Sequence, residues 1–316
     1  MTLLEQMLMN TDSAVILGHV RPDGDCVGAA LGLYSYIRSC YPAIRTAVYL
    51  EEASPKFSYL KGFDEIRHQT DEESWRLCIC VDSSDRERLG EFVCYLDRAE
   101  ASLCLDHHVT NTGYAQHNVV DAQGSSTCEV LYELLEDARI GKACAEALYT
   151  GIIHDTGVFQ YSCTGERTMQ IGGRLIAKGI PFDQIIQDSF YTKTYVQNQI
   201  LGRTIMESIM LLDGQCIVGY LKQKDLKFYG VTPADLDGIV NQLRITRGVE
   251  VAIFLYETGV QEYKVSMRSN GKVDVAAIAL FFGGGGHTRA AGCTMQGSVH
   301  DVINALTEPI EKQLRE

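Results

Sequence analysis

The first 190 residues set short apolar runs at 14–17, 45–50, 77–81 and 102–105 between longer helix-like stretches. Runs this brief, rich in Val, Ile, Leu and Cys, are too short for buried helices and fit strands covered on both faces. The stretches at 26–39, 126–137 and 143–153 read as helices, the second capped by Ser125 or Ser126. Strands and helices in alternation build an α/β domain with a doubly wound, mainly parallel sheet. Such a sheet places ligands in the loops at the carboxyl ends of its strands.

Farther along, residues 186–209 are polar and helical, with no turn cluster before Asp213-Gly214. They suggest a helical connector over 191–213, between a domain of residues 1–190 and one of residues 214–316. The last part has strand-like runs at 216–221, 249–256 and 263–267, with helices near 233–244, 275–281 and 299–313. A smaller α+β domain is expected there. The length of 316 residues and 46% hydrophobic content suffice for two cores.

Charge is unevenly spread. The net −13 lies entirely in residues 1–213, with 17 Lys plus Arg against 30 Asp plus Glu, while residues 214–316 balance at 11 of each. This argues against a protein that coats duplex nucleic acid, which needs many cationic contacts to phosphate. The eleven cysteines are odd in number, scattered and set in apolar runs, with no CxxC pair. They read as reduced, buried thiols rather than disulfides or a zinc site. The first ten residues, MTLLEQMLMN, lack the basic start and cleavage site of a leader, and no apolar run is long enough to span a bilayer. A cytoplasmic location is expected.

The stretch GHVRPDGDCVGAA, residues 18–30, places His19, Asp23 and Asp25 just past the first strand-like run. Alone it has a plain alternative: an Asp-Gly turn, Asp25 capping the next helix, and His19 as a hydrogen-bonded loop residue. The other strand ends weigh against it. The run 77–81 leads into Asp82, the run 102–105 leads into Asp106, His107 and His108, and a fourth cluster, His154 and Asp155, ends an apolar helix-like stretch. His19, Asp23, Asp25, Asp82, His107 and Asp155 together supply two imidazoles and four carboxylates. That many like charges do not share a small space in ionised form without cations. Mixed carboxylate and imidazole ligation suits Mn²⁺, with Mg²⁺ or Co²⁺ as substitutes. Two such ions about 3.5–4 Å apart activate water and clamp a phosphoryl group.

These clusters resemble the motifs of the DHH phosphoesterase superfamily. The segment FFGGGGHTRAAGC, residues 281–293, is similar to the glycine-rich motif of its associated C-terminal domain. The layout resembles the stand-alone bacterial subgroup, of nano-RNase or oligoribonuclease type, that also dephosphorylates 3′-phosphoadenosine 5′-phosphate (pAp). The resemblance implies that His19 and Asp23 hold one metal, that Asp25, His107 and Asp155 hold the other, and that Asp82 bridges them. It makes Asp106 an orienting carboxylate and His108 a substrate contact or proton donor. His154 has no position in the pattern and is taken as structural.

In the last domain the resemblance assigns substrate binding to Arg268, Ser269, Gly285, Gly286 and His287, with Arg289 as a further cation. Four glycines in a row often form a linker, but here an apolar helix-like run precedes them and HTRAAG follows. Glycine also lets backbone N–H groups approach an anion. The expectation is a two-metal phosphohydrolase with its active site in the interdomain cleft, taking short single-stranded RNA or DNA, pAp or pApA, and with a second copy of the chain as candidate partner. The alternatives are a pApA or cyclic dinucleotide phosphodiesterase, a family II inorganic pyrophosphatase, a long-strand exonuclease and an inactive nucleotide sensor. GGGGH stands where a pyrophosphatase carries a Lys- and Arg-rich motif, an exonuclease has an added nucleic-acid domain, and a sensor is expected to lack ligands that are all present here.

Overall fold

The computed structural model describes residues 2–315. The chain divides into two compact units, Met1–Thr192 and Lys193–Glu316.

In the first unit, α1 (Leu3–Met9) precedes β1 (Ser13–Leu17), α2 (Gly24–Cys40), β2 (Arg45–Tyr49), β3 (Leu77–Val81), α3 (Val93–Arg98), β4 (Ala101–Asp106) and β5 (His117–Val120). Then follow α4 (Thr127–Leu134), α5 (Lys142–Asp155), α6 (Glu166–Ala177) and α7 (Phe182–Ile186), which runs into a π turn at Gln187–Tyr191. All strand pairs are parallel, in the order β2-β1-β3-β4-β5.

Side-chain alternation explains the double winding. Ala14 and Ile16 of β1, and Leu77, Ile79 and Val81 of β3, join the core under α1, α2, α4 and α5. Their neighbours Val15, Leu17, Cys78 and Cys80 face a second cluster with Tyr49, Trp75, Phe92 and Tyr95. With both faces covered, every residue of β1 and β3 is buried, and alternation of polarity disappears from the sequence. Truncating Ile79 to Ala in such a layer costs about 2–5 kcal/mol. The strand order reverses between β1 and β3, so the switch point lies at the carboxyl ends of those two strands.

The stretch expected to connect domains is instead divided. The segment 187–191 completes the first unit, and α8 (Tyr195–Met206) belongs to the second, where its Ile200 is fully buried against Ile217 and Leu243. The second unit continues with β6 (Ile209–Leu211), β7 (Cys216–Leu221), α9 (Gln223–Tyr229), α10 (Ile239–Arg244), β8 (Val251–Gly259) and β9 (Glu262–Ser269). It closes with α11 (Val275–Phe281), β10 (Gly285–His287), β11 (Ala290–Gln296) and α12 (Val299–Arg315). Its mixed sheet has the order β10-β11-β9-β8-β7-β6, with β7 and β8 parallel and the other pairs antiparallel. The helix expected over 233–244 is a 3₁₀ turn, Pro233–Leu236, then α10, because Gly238 at φ +82° separates them.

The eleven cysteines are all free. Among the described residues no helix is long and apolar enough to cross a membrane.

Candidate metal centre

The acidic and histidine residues that follow β1, β3 and β4 converge with the C-terminus of α5. Asp23, not Asp25, caps α2: its Oδ1 accepts the N–H groups of Asp25 and Cys26 at 3.1 and 3.2 Å. That leaves Asp25 on the first helical turn, fully buried and pointing inward. There the N-terminus of α4 meets it, with Thr127 N–H donating to Oδ2 at 2.6 Å and Cys128 N–H to Oδ1 at 3.0 Å. Unsatisfied helix N–H groups thus anchor a carboxylate, as the helix dipole favours. The approach needs Gly151 of α5, since a Cβ there would lie 2.2 Å from Cys128 Sγ and 2.7 Å from Asp25 Oδ1.

Asp82 ends β3 in the left-handed region, at φ +56°, an uncommon conformation for a residue with a Cβ. Its carboxylate serves two sides. Oδ2 lies 3.3 Å from His19 Nε2, and Oδ1 lies 3.7 Å from His107 Nε2. On the His19 side, Asp23 Oδ1 is 3.7 Å from the same Nε2. On the His107 side, Asp155 Oδ2 is 3.1 Å and Asp25 Oδ2 4.0 Å from Nε2. The sequence-derived ligands therefore meet in two sets that share Asp82.

The histidine rings are oriented for this. His19 Nδ1 donates to the Val20 carbonyl at 2.9 Å and His107 Nδ1 to the Gly124 carbonyl at 3.4 Å, so that loss of the Nε2 proton would turn a lone pair toward a metal. His108 is turned differently. Its Nδ1 donates to Asp106 Oδ1 at 2.7 Å, while Asn111 Nδ2 donates to Asp106 Oδ2, also at 2.7 Å.

The electrostatics show a deficit of positive charge. Burial opposes a charged His19, yet the hydrogen bonds and charges of Asp23 and Asp82 raise its pKa to about 10. His107 is raised to about 11, against its burial, by Asp155, Asp25 and Asp82. Burial, then the neighbouring charges of Asp82 and Asp155, push Asp25 well above the carboxylate range. Asp155 rises to about 6 through burial and the charges of Asp23 and Asp82, against the pull of His107. Buried carboxylates whose mutual repulsion raises their proton affinity, with two imidazole Nε2 atoms turned toward them, fit a pair of divalent ions.

Three groups have ligand atoms within 4.8 Å of one another: His19, Cys26 and Asp82; Asp82, His107 and His108; and Asp25, His107 and Asp155. Burial and the charge of Asp82 push the Cys26 thiol well above its ordinary range.

Sequence reasoning missed two supports. Thr127 Oγ1 donates to Asp82 Oδ1 at 3.0 Å, and Asn111 holds Asp106. Thr127 sits one position past the α4 cap, Ser126, where the pattern signals only a helix start. Asn111 lies in DHHVTN, but nothing in the sequence says that its amide folds back onto the aspartate. His154 packs between Phe57 and Phe190, with Nε2 3.2 Å from Ser189 Oγ.

The residues assigned to substrate lie in the second unit. Register places Arg268 of β9 beside Ala290 of β11, and Ala290 beside His287 of β10, so Arg268 and His287 stand in one row and share a face. Gly286 permits the tight β10–β11 pairing: its φ is +142°, and a Cβ there would lie 2.5 Å from Ala290 O. Gly285 pairs with Gly292 on an exposed edge strand. Arg268 donates from Nη1 to Met267 O at 3.0 Å, and Arg289 lies over Gly271. Ser269 faces the other way. It is buried, donates from Oγ to Glu250 Oε1 at 3.1 Å and accepts from Gly271 N–H at 3.0 Å, which makes it part of the turn and not a surface contact.

Residues 13–152 match the N-terminal domain of the DHH family, and residues 213–316 match the DHHA1 domain. The bifunctional oligoribonuclease and PAP phosphatase NrnA of Mycoplasma pneumoniae is 31% identical, over 96% of this chain and 93% of that protein. The chain belongs to the DHH family. The NrnA of Bacillus subtilis, which carries the same description, is another member at 28% identity over 90% of both chains. The fold of an exopolyphosphatase-related protein from Bacteroides fragilis superposes with a TM-score of 0.90 at 24% identity, over 98% of this chain and 94% of that one. DHH phosphoesterases are metal-dependent, in keeping with the ligand groups assembled here.

Proposed function

We propose that this chain is a Mn²⁺-dependent phosphohydrolase of the cytoplasm that degrades short oligonucleotides to mononucleotides and removes the 3′-phosphate of pAp. The observation that carries this reading is the divided carboxylate of Asp82, with one oxygen toward His19 and the other toward His107. The names of the NrnA relatives, which span nearly the whole chain, support the choice of substrates.

In this reading His19 and Asp23 hold one ion, Asp25, His107 and Asp155 hold the second, and Asp82 serves both. Divalent ions there supply Lewis acidity toward the phosphoryl oxygens and an acidified water. The chain's own groups do the rest. Thr127 and the α4 N-terminus fix Asp82 and Asp25, so the ligands need little rearrangement. Asp106 keeps the proton of His108 on Nδ1 in the neutral ring, and the ring in its protonated form presents a second N–H, at Nε2, to the phosphoryl or leaving-group oxygen. Arg268 and His287 bind the part of the substrate remote from the scissile bond, which positions the phosphorus for in-line attack.

The test is a panel of pAp, pApA, cyclic dinucleotide, pyrophosphate and RNAs of two to about ten nucleotides, lengths set around single-strand site sizes. Each is assayed with Mn²⁺, with EDTA and with Asp82→Ala. Turnover of pAp and the shortest RNAs, abolished by EDTA and by the substitution, supports the reading. Preference for pyrophosphate or a cyclic dinucleotide replaces it with the corresponding alternative.

A further inference from the structure

Arg167, on the first turn of α6, is not among the candidate metal ligands, yet its guanidinium is shared by three carboxylates. Nε donates to Glu129 Oε1 at 2.6 Å, Nη2 to Asp121 Oδ2 at 2.7 Å and Nη1 to Glu133 Oε2 at 3.3 Å. Glu129 and Glu133 stand one turn apart on α4, whereas Asp121 follows β5. The arginine thus fastens both ends of the segment 121–129. Within it the chain closes on itself: Gly124 N–H donates to Asp121 O at 2.9 Å, and Ser125 Oγ donates to Glu129 Oε2. Gly124 lets the guanidinium approach, since a Cβ there would lie 3.3 Å from Nη2. Glu129 is buried, and its charge is paired with Arg167.

We infer that Arg167 is a positioning residue for the metal centre, acting on its His107 side through the segment that the guanidinium fastens. The inference rests on the two-ion reading proposed above. Three supports of that side come from this segment. Gly124 O accepts from His107 Nδ1, the N–H groups of Thr127 and Cys128 hold Asp25, and the Thr127 hydroxyl holds Asp82. The His19 side is held by other elements, since His19 Nδ1 bonds the carbonyl of Val20 and Asp23 caps α2. Without the guanidinium three carboxylates face one another, two of them at i and i+4 of one helix, where like charges repel. Glu129 in addition becomes a buried charge stripped of its partner. Segment 121–129 relaxes to separate these groups, and that relaxation shifts Gly124 and the N-terminus of α4. Lysine is a poor substitute, because a point charge on a flexible stem lacks the rigid fork that serves three acceptors in three directions.

The experiment titrates Mn²⁺ calorimetrically into wild type, Arg167→Gln, Arg167→Lys and Asp121→Asn. His19→Ala and His107→Ala, titrated alongside, mark which step of the isotherm belongs to which ion. Arg167→Gln should weaken the step lost in His107→Ala by about 10–100-fold, the range for groups that support metal ligands, and leave the other step within about threefold of wild type. Arg167→Lys should recover only part of the loss. Asp121→Asn removes a single partly exposed ion pair and should show the same selectivity at about two- to fivefold, which keeps the test decisive if Arg167→Gln fails to fold. Equal weakening of both steps overturns the role. So does a lowered melting temperature with both steps unmoved, which leaves Arg167 as an ion pair of the fold alone. Wild-type protein that takes up no Mn²⁺ refutes the two-ion centre, and the role with it. Because affinity is read and not turnover, the result is independent of which phosphoester is the substrate.

Discussion

His108 Nδ1 lies 2.7 Å from Asp106 Oδ1. The other Asp106 oxygen is taken by Asn111, so the aspartate is fixed on both sides and the ring has one orientation. Replacing one of the two acceptor oxygens by an NH2 group leaves His108 Nδ1 and Asn111 Nδ2 to compete for the other, and should disturb the ring without changing a residue of the proposed ligand set. Asp106→Asn is expected to lower kcat by about 10–100-fold at normal metal content, and Asn111→Ala by a smaller factor in the same direction. Metal analysis alongside single-turnover rates checks this. Metal loss in either variant would place these residues in the ligand framework.

Thr127 offers a sharper separation. Its backbone N–H holds Asp25 and its hydroxyl holds Asp82, so a change of side chain touches only the second bond. Thr127→Val keeps the shape and removes the hydroxyl. A hydrogen bond to a charged group is worth about 1.5–3 kcal/mol, and the expected outcome is roughly tenfold or greater loss of Mn²⁺ affinity or turnover. Thr127→Ser should retain both. Calorimetric metal titration of the two variants measures the difference, and equal affinities would remove Thr127 from the site.

Metal removal should reveal a pH dependence of one sign. In the cation-free protein Asp155 keeps its proton up to about 6 against an ordinary 3.8, and His19 and His107 keep theirs to about 10 and about 11 against 6.5. In these ranges the folded state binds more protons than the unfolded chain. The stabilisation from these groups is thus full at low pH and is lost as pH rises through the folded values. Bound ions require the deprotonated ligands, so their stabilisation grows with pH. Melting temperatures of EDTA-stripped and Mn²⁺-loaded protein should diverge between about pH 5 and pH 9. A constant gap would contradict the shared site.

Much of this centre is legible in the sequence because buried parallel strands read as unbroken apolar runs, and the first polar residue after each run is where the sheet exposes its carboxyl ends. Leu77–Val81 followed by Asp82 is the clearest case. Strand β5, His117–Val120, gives no such signal, since it is a four-residue edge strand that is largely solvent-exposed and has only two apolar residues, Val119 and Val120. Strands β6 and β10, at three residues each, are too short for a periodicity. The role of Ser269 was hidden for another reason. Its motif neighbour Arg268 projects from the opposite face of β9, and a period of two turns adjacent residues to different surroundings whatever their motif.

That same alternation allows the substrate contacts to be tested apart from their support. Arg268 and His287 stand in one row of the second unit, whereas all the candidate metal ligands belong to the first. Replacing either with Ala should leave metal content unchanged and reduce turnover of pAp and dinucleotides by roughly 10²-fold, the effect of about 1 Å of misplacement. A small activated phosphodiester that lacks the remote nucleoside should react at nearly the wild-type rate. Ser269→Ala should behave differently, because its hydroxyl bonds Glu250 and Gly271 inside the turn. It should lower thermal stability by about 1–3 kcal/mol, the penalty for buried partners left unsatisfied, and should weaken substrate binding only through the loosened turn. Kinetics on both substrates, with metal content and melting curves for the three variants, decide the assignment. Equal losses on the small and the full substrate, or loss of metal, would mean that the second unit sustains the metal centre itself rather than grasping the nucleotide.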